Sequence, residues 1–259
     1  MTDLLKYEQR GHIGLITIHN PPANTWNAES LAGLKTLIEK LNADREIYAL
    51  VITGDGEKFF SAGADLNQFA AGDRAVAWEM SRLFGLAFEA LTDFRGVSIA
   101  AINGYAMGGG LECALSCDLR VAEEQAQMAL PEARVGLLPC AGGTQNLPWL
   151  VGEGWAKRMI LCGERVTAAK ALEIGLVEEV VPKGQALNRA LELAEMACQQ
   201  SPSSIASCKK LVMHARTGSQ HEQGWRLERE LFVDLFATED QREGVQAFLN
   251  KRTPEWKNR

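Results

Sequence analysis

The chain has 259 residues, 46% of them hydrophobic and 23% charged, which suits a soluble globular protein with a sizeable core, built as one domain or one domain plus a small appendage. The formal net charge of −6 argues against nucleic acid as a partner, because phosphate binding draws on a basic surface, but leaves room for an anionic small ligand. No apolar run is long enough to span a bilayer, and the opening MTDLLKYEQRGHIG has neither the order of a secretion signal nor the bias of a transit peptide, so a cytoplasmic protein without membrane contact is expected.

Strand-like alternation over 4–9 and 13–19 flanks a turn at Arg10–Gly11–His12, and Asn20–Pro21–Pro22 breaks the pattern. Leu31, Leu34, Leu37, Ile38 and Leu41 recur on one face, which predicts a helix over about 28–43. The apolar run 49–53 reads as a buried strand ended by Gly54–Asp55–Gly56. Helix is predicted from about 74 to 94, then a buried strand at 97–102, then Asn103–Gly104 and a glycine-rich turn into a helix. This cadence is that of an α/β domain with largely parallel strands. From about Gly143 the character becomes helical, over 152–162, 167–174, 184–199, 203–216, 220–236 and 239–250, with only 177–181 strand-like. The expected division is an α/β core over 1–200 and a helical C-terminal region over 201–259.

Six cysteines (Cys113, Cys117, Cys140, Cys162, Cys198 and Cys208) are scattered through apolar or helical segments. Cys113 and Cys117 share a helical face, but no second Cys/His pair at ligand spacing accompanies them. They are read as buried free thiols, and no metal site is expected.

Three segments can carry chemistry. In FSAGADL, small residues beside aromatics let a ligand approach the backbone, although Asp65 is equally an ordinary helix cap. In INGYAMGGGLECAL, three glycines between a strand and a helix can present unpaired N–H groups to an anion. This is neither a dinucleotide fingerprint nor a P-loop, since G-x-G-x-x-G and Gly-Lys-Ser/Thr are both missing. In LPEARVGLLPCAGGTQ, Pro131–Glu132 reads locally as a helix opening with an exposed acid.

Together, in this order and spacing, the three segments resemble the crotonase superfamily, the enoyl-CoA hydratases and isomerases. The resemblance continues through AAKALEIGLVEEVVP and covers essentially the whole chain. It implies a crotonase-like α/β fold with a ββα spiral core, the helical C-terminal region serving trimerisation, and assembly as a homotrimer or homohexamer. It also implies an acyl-CoA thioester substrate, with no cofactor beyond the coenzyme A that the substrate carries.

By position the resemblance assigns Glu112 and Glu132 as the two catalytic acids, Glu112 acting on water and Glu132 on the α carbon. It assigns the backbone N–H groups of Ala62 and Gly109 to the oxyanion hole. Substrate binding falls to Ala62, Gly63, Ala64, Asp65, Leu66, Gly109 and Cys140. Retention of both acids favours a hydratase over an isomerase or thioester hydrolase of the same fold. An RNA-binding member would call for a lysine-rich helix, and 28–43 offers only Lys35 and Lys40 among Glu29 and Glu39.

Two departures stand out. Cys140 replaces the usual glycine of the PGAGGTQ-like turn, and Trp26 is bulkier than the usual leucine in the stretch expected to line CoA. The segment 69–94 is expected to line the acyl pocket, although the spacing of Trp78, Phe84 and Phe88 also fits a core face. The basic tail, Lys251–Arg252 and Lys257–Asn258–Arg259, is read either as reaching CoA phosphates or as a solvated terminus.

Overall fold

A computed structural model describes residues 2–216 and 221–259. Strands β1 (Leu5–Arg10) and β2 (Ile13–Ile18) form an antiparallel hairpin with Leu5 opposite Ile18. The pairing then turns parallel through β3 (Ala49–Gly54), β5 (Val97–Ile102), β7 (Leu119–Glu123) and β10 (Glu179–Val181), which completes a six-stranded sheet. Every residue of β3 is buried, the mark of a central strand covered on both faces.

Successive side chains of this sheet go to opposite layers. Leu15, Val51, Ile99 and Val121 pack with Ala186, Ala190 and Ala194 of helix α6 (Ala186–Cys198). Ile16, Ile52, Ala100 and Ala122 face a larger core shared with α1 (Ala28–Ala43) and α2 (Arg74–Thr92). Asn27 and Ser30 fix the start of α1 by a reciprocal capping box, and its buried face carries the five apolar residues read from the sequence. Helix α2 buries Met80, Phe84 and Phe88, but Trp78 stands 72% exposed and leaves the core face. Its spacing from Phe84 is six residues, which turns it off the buried stripe.

A second sheet of very short strands lies over the first. β4 (Phe59–Ser61), β6 (Tyr105–Met107) and β8 (Gln127–Ala129) run parallel, and β9 (Val166–Thr167) closes the edge antiparallel. Helix α3 (Gly109–Leu115) leaves β6 directly. Helix α4 (Gly143–Leu161) begins earlier than the predicted 152, because Gly152, with φ 76°, kinks two helical pieces into one element. Helix α5 (Ala168–Glu173) precedes β10.

The C-terminal helices are α7 (Pro202–Arg216), α8 (His221–Leu235) and α9 (Glu239–Leu249). Lys209 ties α7 to the core through Asp118 at 2.8 Å and the carbonyls of Phe94 and Gly96. Asp240, fully buried, accepts from the Ser203 hydroxyl and from the backbone N–H groups of Lys257 and Asn258. The last residues are therefore docked rather than solvated, and Asn258 is only 2% exposed. Phe232, Phe236 and Phe248 are left exposed on this helical arm.

The cysteine expectation needs correction. Cys113 and Cys117 are buried, but Cys140, Cys162 and Cys208 are exposed and Cys198 is half-buried. Cys208 sits in α7, which buries only Pro202, and Cys198 ends α6 beyond its buried alanines, so an apolar neighbourhood in sequence does not translate into burial.

Candidate active site

Glu112 lies in the first turn of α3, which β6 and the glycine turn aim into the gap between the small sheet and α4. It is 2% exposed, and its Oε1 accepts from the backbone N–H groups of Ala141 at 2.8 Å and Gly143 at 2.9 Å. Burial raises its pKa above the ordinary carboxylate value, while these two bonds pull in the opposite direction. The carboxylate is thus buried but held by charge-favouring donors, which suits a proton acceptor.

Glu132 is built differently. It opens the single 3-10 turn Glu132–Val135, closed by Gly136 at φ 73°, so the expected helix opening is only a tight turn. Its two carboxylate oxygens are buried and have no hydrogen-bond partner among the described residues. Burial, followed by the nearby charge of Glu112, pushes its pKa up to about 7. The acid read locally as exposed therefore points inward. Room for it comes from Gly108, where a side chain's Cβ would stand 3.2 Å from Glu132 Oε1.

The glycine turn also supplies donors. Gly108 caps α3 at φ 52° without any side-chain bond, which leaves the Gly109 N–H without a partner among the described residues. The Phe84 ring lies 2.8 Å from where a Gly109 Cβ would stand, so no side chain fits there. Gly63, at φ 92°, packs onto the same turn, with its missing Cβ only 3.2 Å from the Gly109 nitrogen.

The assignment of Ala62 as a free donor is corrected. Its N–H already donates to the Ala23 carbonyl at 2.9 Å. Two residues on, Ala64 forms a parallel bridge with Trp26, in which Trp26 N–H donates to Gly63 O and Asp65 N–H donates to Trp26 O. In a parallel bridge the central residue's own N–H points away from its partner strand. The Ala64 N–H is accordingly the one in FSAGADL left without a partner among the described residues. Sequence reasoning could not separate the two alanines, because the choice depends on a contact with residues 23–26.

Other predicted contacts fall into place around this frame. Asp65 caps the short turn Leu66–Phe69 by accepting from the Asn67 N–H, and Leu66 is about half exposed. Cys140 immediately precedes the Ala141 N–H that holds Glu112; although the residue as a whole reaches solvent, its crowded surroundings and then the charges of Glu112 and Glu132 push its thiol up to about 11. It is therefore a poor nucleophile where it stands. Trp26 is fully buried, edge-on to Phe88 at 5.7 Å, with an indole N–H that has no partner among the described residues. The tail arginines are paired internally, Arg252 with Glu243 and Arg259 with Glu239.

Comparison with known proteins agrees with this arrangement. Residues 8–259 match the Enoyl-CoA hydratase/isomerase family. A 2,3-dehydroadipyl-CoA hydratase of Escherichia coli (strain K12) is 41% identical over the full length of both chains. A short-chain-enoyl-CoA hydratase of Clostridium acetobutylicum is 36% identical over 97% of each. Among solved structures, Pseudomonas aeruginosa DspI is 67% identical, covering 98% of this chain and 97% of that one with a TM-score of 0.95. Enoyl-CoA hydratase from Bacillus anthracis is 33% identical, covering 99% of this chain and all of that one with a TM-score of 0.94. The crotonase-like α/β architecture expected from the sequence is the one these relatives share.

Proposed function

The chain belongs to the enoyl-CoA hydratase/isomerase family, and from that premise we propose that it adds water, syn, across the double bond of a 2-trans-enoyl-CoA to give the 3-hydroxyacyl-CoA. The reading rests chiefly on the inequality of the two glutamates: one carboxylate is held by two N–H donors, and the other is buried, unpartnered and titrates at about 7. Paired groups pushed into different protonation states suit a reaction in which water loses a proton while carbon gains one.

The thioester carbonyl oxygen accepts from the N–H groups of Ala64 and Gly109, and the Gly63–Asp65 backbone flanks the thioester. Enolate charge builds on that oxygen during addition, and each fixed donor is worth roughly 3–4 kcal/mol in such sites. Glu112 takes a proton from water as its oxygen bonds to the β carbon. Glu132 gives its proton to the α carbon. Glu112 ends protonated and Glu132 ionised, and solvent exchange restores both. The coenzyme A portion arrives with the substrate, so the proposed chemistry asks for no further cofactor.

The exposed Phe232, Phe236 and Phe248 favour burial of residues 201–259 against other copies, as a homotrimer or homohexamer. The proposed enzyme acts in the cytoplasm without nucleic-acid or membrane partners, and the net charge of −6 supports the first of these exclusions. The test is turnover of crotonyl-CoA, followed by loss of the conjugated thioester absorbance, beside double-bond migration in 3-hexenoyl-CoA. Hydration abolished by Glu112→Gln and by Glu132→Gln is expected. Migration without hydration, or hydration indifferent to both changes, refutes the proposal.

A further inference from the structure

A cavity of about 390 Å³ opens directly behind the loop that holds Glu112. Gly85, Phe88 and Glu89 of α2 form one wall, and Cys140, Ala141 and Asn146 form the other. It adjoins the reaction site, because Ala141 donates to Glu112 and the Cys140 thiol is raised by the charges of both acids. Phe88, Gly85 and Ala141 give part of the cavity apolar surface for a short hydrocarbon chain, while Thr92, Ser116 and Asn146 make the rest polar.

The outer part is acidic. Glu89 folds back over Gly85, its Oε1 3.5 Å from where a side chain would begin, and it has no ion pair among the described residues. Asp93 also lines the cavity, but it borders a neighbouring hollow that contains Lys209 and Lys210. No cation lines the cavity itself among the described residues. Of the cations lining that neighbouring hollow, Lys209 is held by Asp118 and two carbonyls and Arg95 by Asn42, Asp44 and Asn258, while Lys210 is exposed to solvent and does not line the cavity.

We propose that Glu89 makes this site select enoyl-CoA chains with an uncharged far end and reject chains that end in a carboxylate. This inference rests on the acyl-CoA reading of the site. A terminal carboxylate entering the cavity leaves bulk water, meets a like charge and finds no cation to receive it. Discrimination of this kind works by repulsion rather than by added attraction.

The test compares two six-carbon enoyl thioesters that differ only at the far end, 2-hexenoyl-CoA and 2,3-dehydroadipyl-CoA. The ratio of their kcat/KM values is expected to favour the uncharged substrate by about tenfold or more. Glu89→Gln lies on an exposed helix face and should narrow the ratio at least about threefold, and Glu89→Lys should narrow it further. Equal turnover of the two substrates, or a ratio unmoved by both variants, overturns the inference. Calorimetric binding of the saturated pair, hexanoyl-CoA and adipyl-CoA, reads the same preference without any chemistry. If hydration fails altogether, the hydratase reading falls, and the binding ratio still decides the fate of Glu89.

Discussion

Replacing Glu132 by glutamine should make the protein more stable at alkaline pH while removing its activity. The ordinary value for a glutamate is 4.5 and burial lifts Glu132 to about 7. Below the lower value the folded and unfolded chains both hold the proton, and no difference arises. Between the two values the unfolded chain releases a proton that the folded one keeps, so folded-state stability falls as pH rises through this window. Above about 7 the full deficit is present, which amounts to about 3 kcal/mol. The two carboxylate oxygens are shielded but the residue is only half-buried, so solvent screening makes this figure an upper value. About 2 kcal/mol of it develops between about pH 5.5 and about pH 8. Glutamine keeps the shape and cannot ionise. Urea unfolding of wild type and Glu132→Gln at these two pH values, at one fixed protein concentration, is the assay. The stability difference between variant and wild type should grow by up to about 2 kcal/mol in the variant's favour from the acidic to the alkaline condition. A difference that stays constant with pH refutes the claim that Glu132 is a proton-holding buried acid.

Hydration should decline as pH rises through about 7, since Glu132 must carry a proton, and Glu112→Gln should lower the rate by roughly 10²–10⁴-fold with the fold intact by circular dichroism. Cys140 should react with iodoacetamide about a hundredfold more slowly than an ordinary thiol near neutral pH, read by peptide mass mapping, because its thiolate is disfavoured. Gly109→Ala should cut kcat by about 10²-fold or more, since its methyl meets the Phe84 ring and shifts the donor. Asp240→Ala leaves the donors of Ser203, Lys257 and Asn258 unpaired, and should cost about 2–4 kcal/mol, with early proteolytic loss of the tail.

The long elements were legible in the sequence because period and length agreed. The five apolar positions of α1 all face the core, and the continuous run in β3 is buried throughout. The second sheet was not legible, since strands of two or three residues such as β4, β6 and β9 carry no period to detect. Family resemblance supplied Glu112 and Glu132, whereas local reading made Glu132 an exposed helix acid. Its inward turn depends on Gly136 and on the space beside Gly108, both of which are tertiary facts. Ala62 was chosen over Ala64 because the deciding bond, to Ala23, joins segments 39 residues apart. Of the two readings open for Trp78, the core face is excluded, because a spacing of six from Phe84 turns it off the buried stripe.

The bridge between Trp26 and Ala64 has a consequence for how this enzyme can change. The direction of the Ala64 N–H is set by backbone bonds from residues 23 and 26, neither of which needs to touch the reacting atoms. Asn24, held at φ 52° with its amide on the carbonyls of Asp55 and Phe59, braces the same stretch. Substitutions in this largely buried stretch are therefore expected to act on the turnover rate, while the proposed selection of the acyl chain rests with α2. On the proposed function, rate and selectivity would be carried by separate stretches of polypeptide, so that variation could tune one while the other stays as it was.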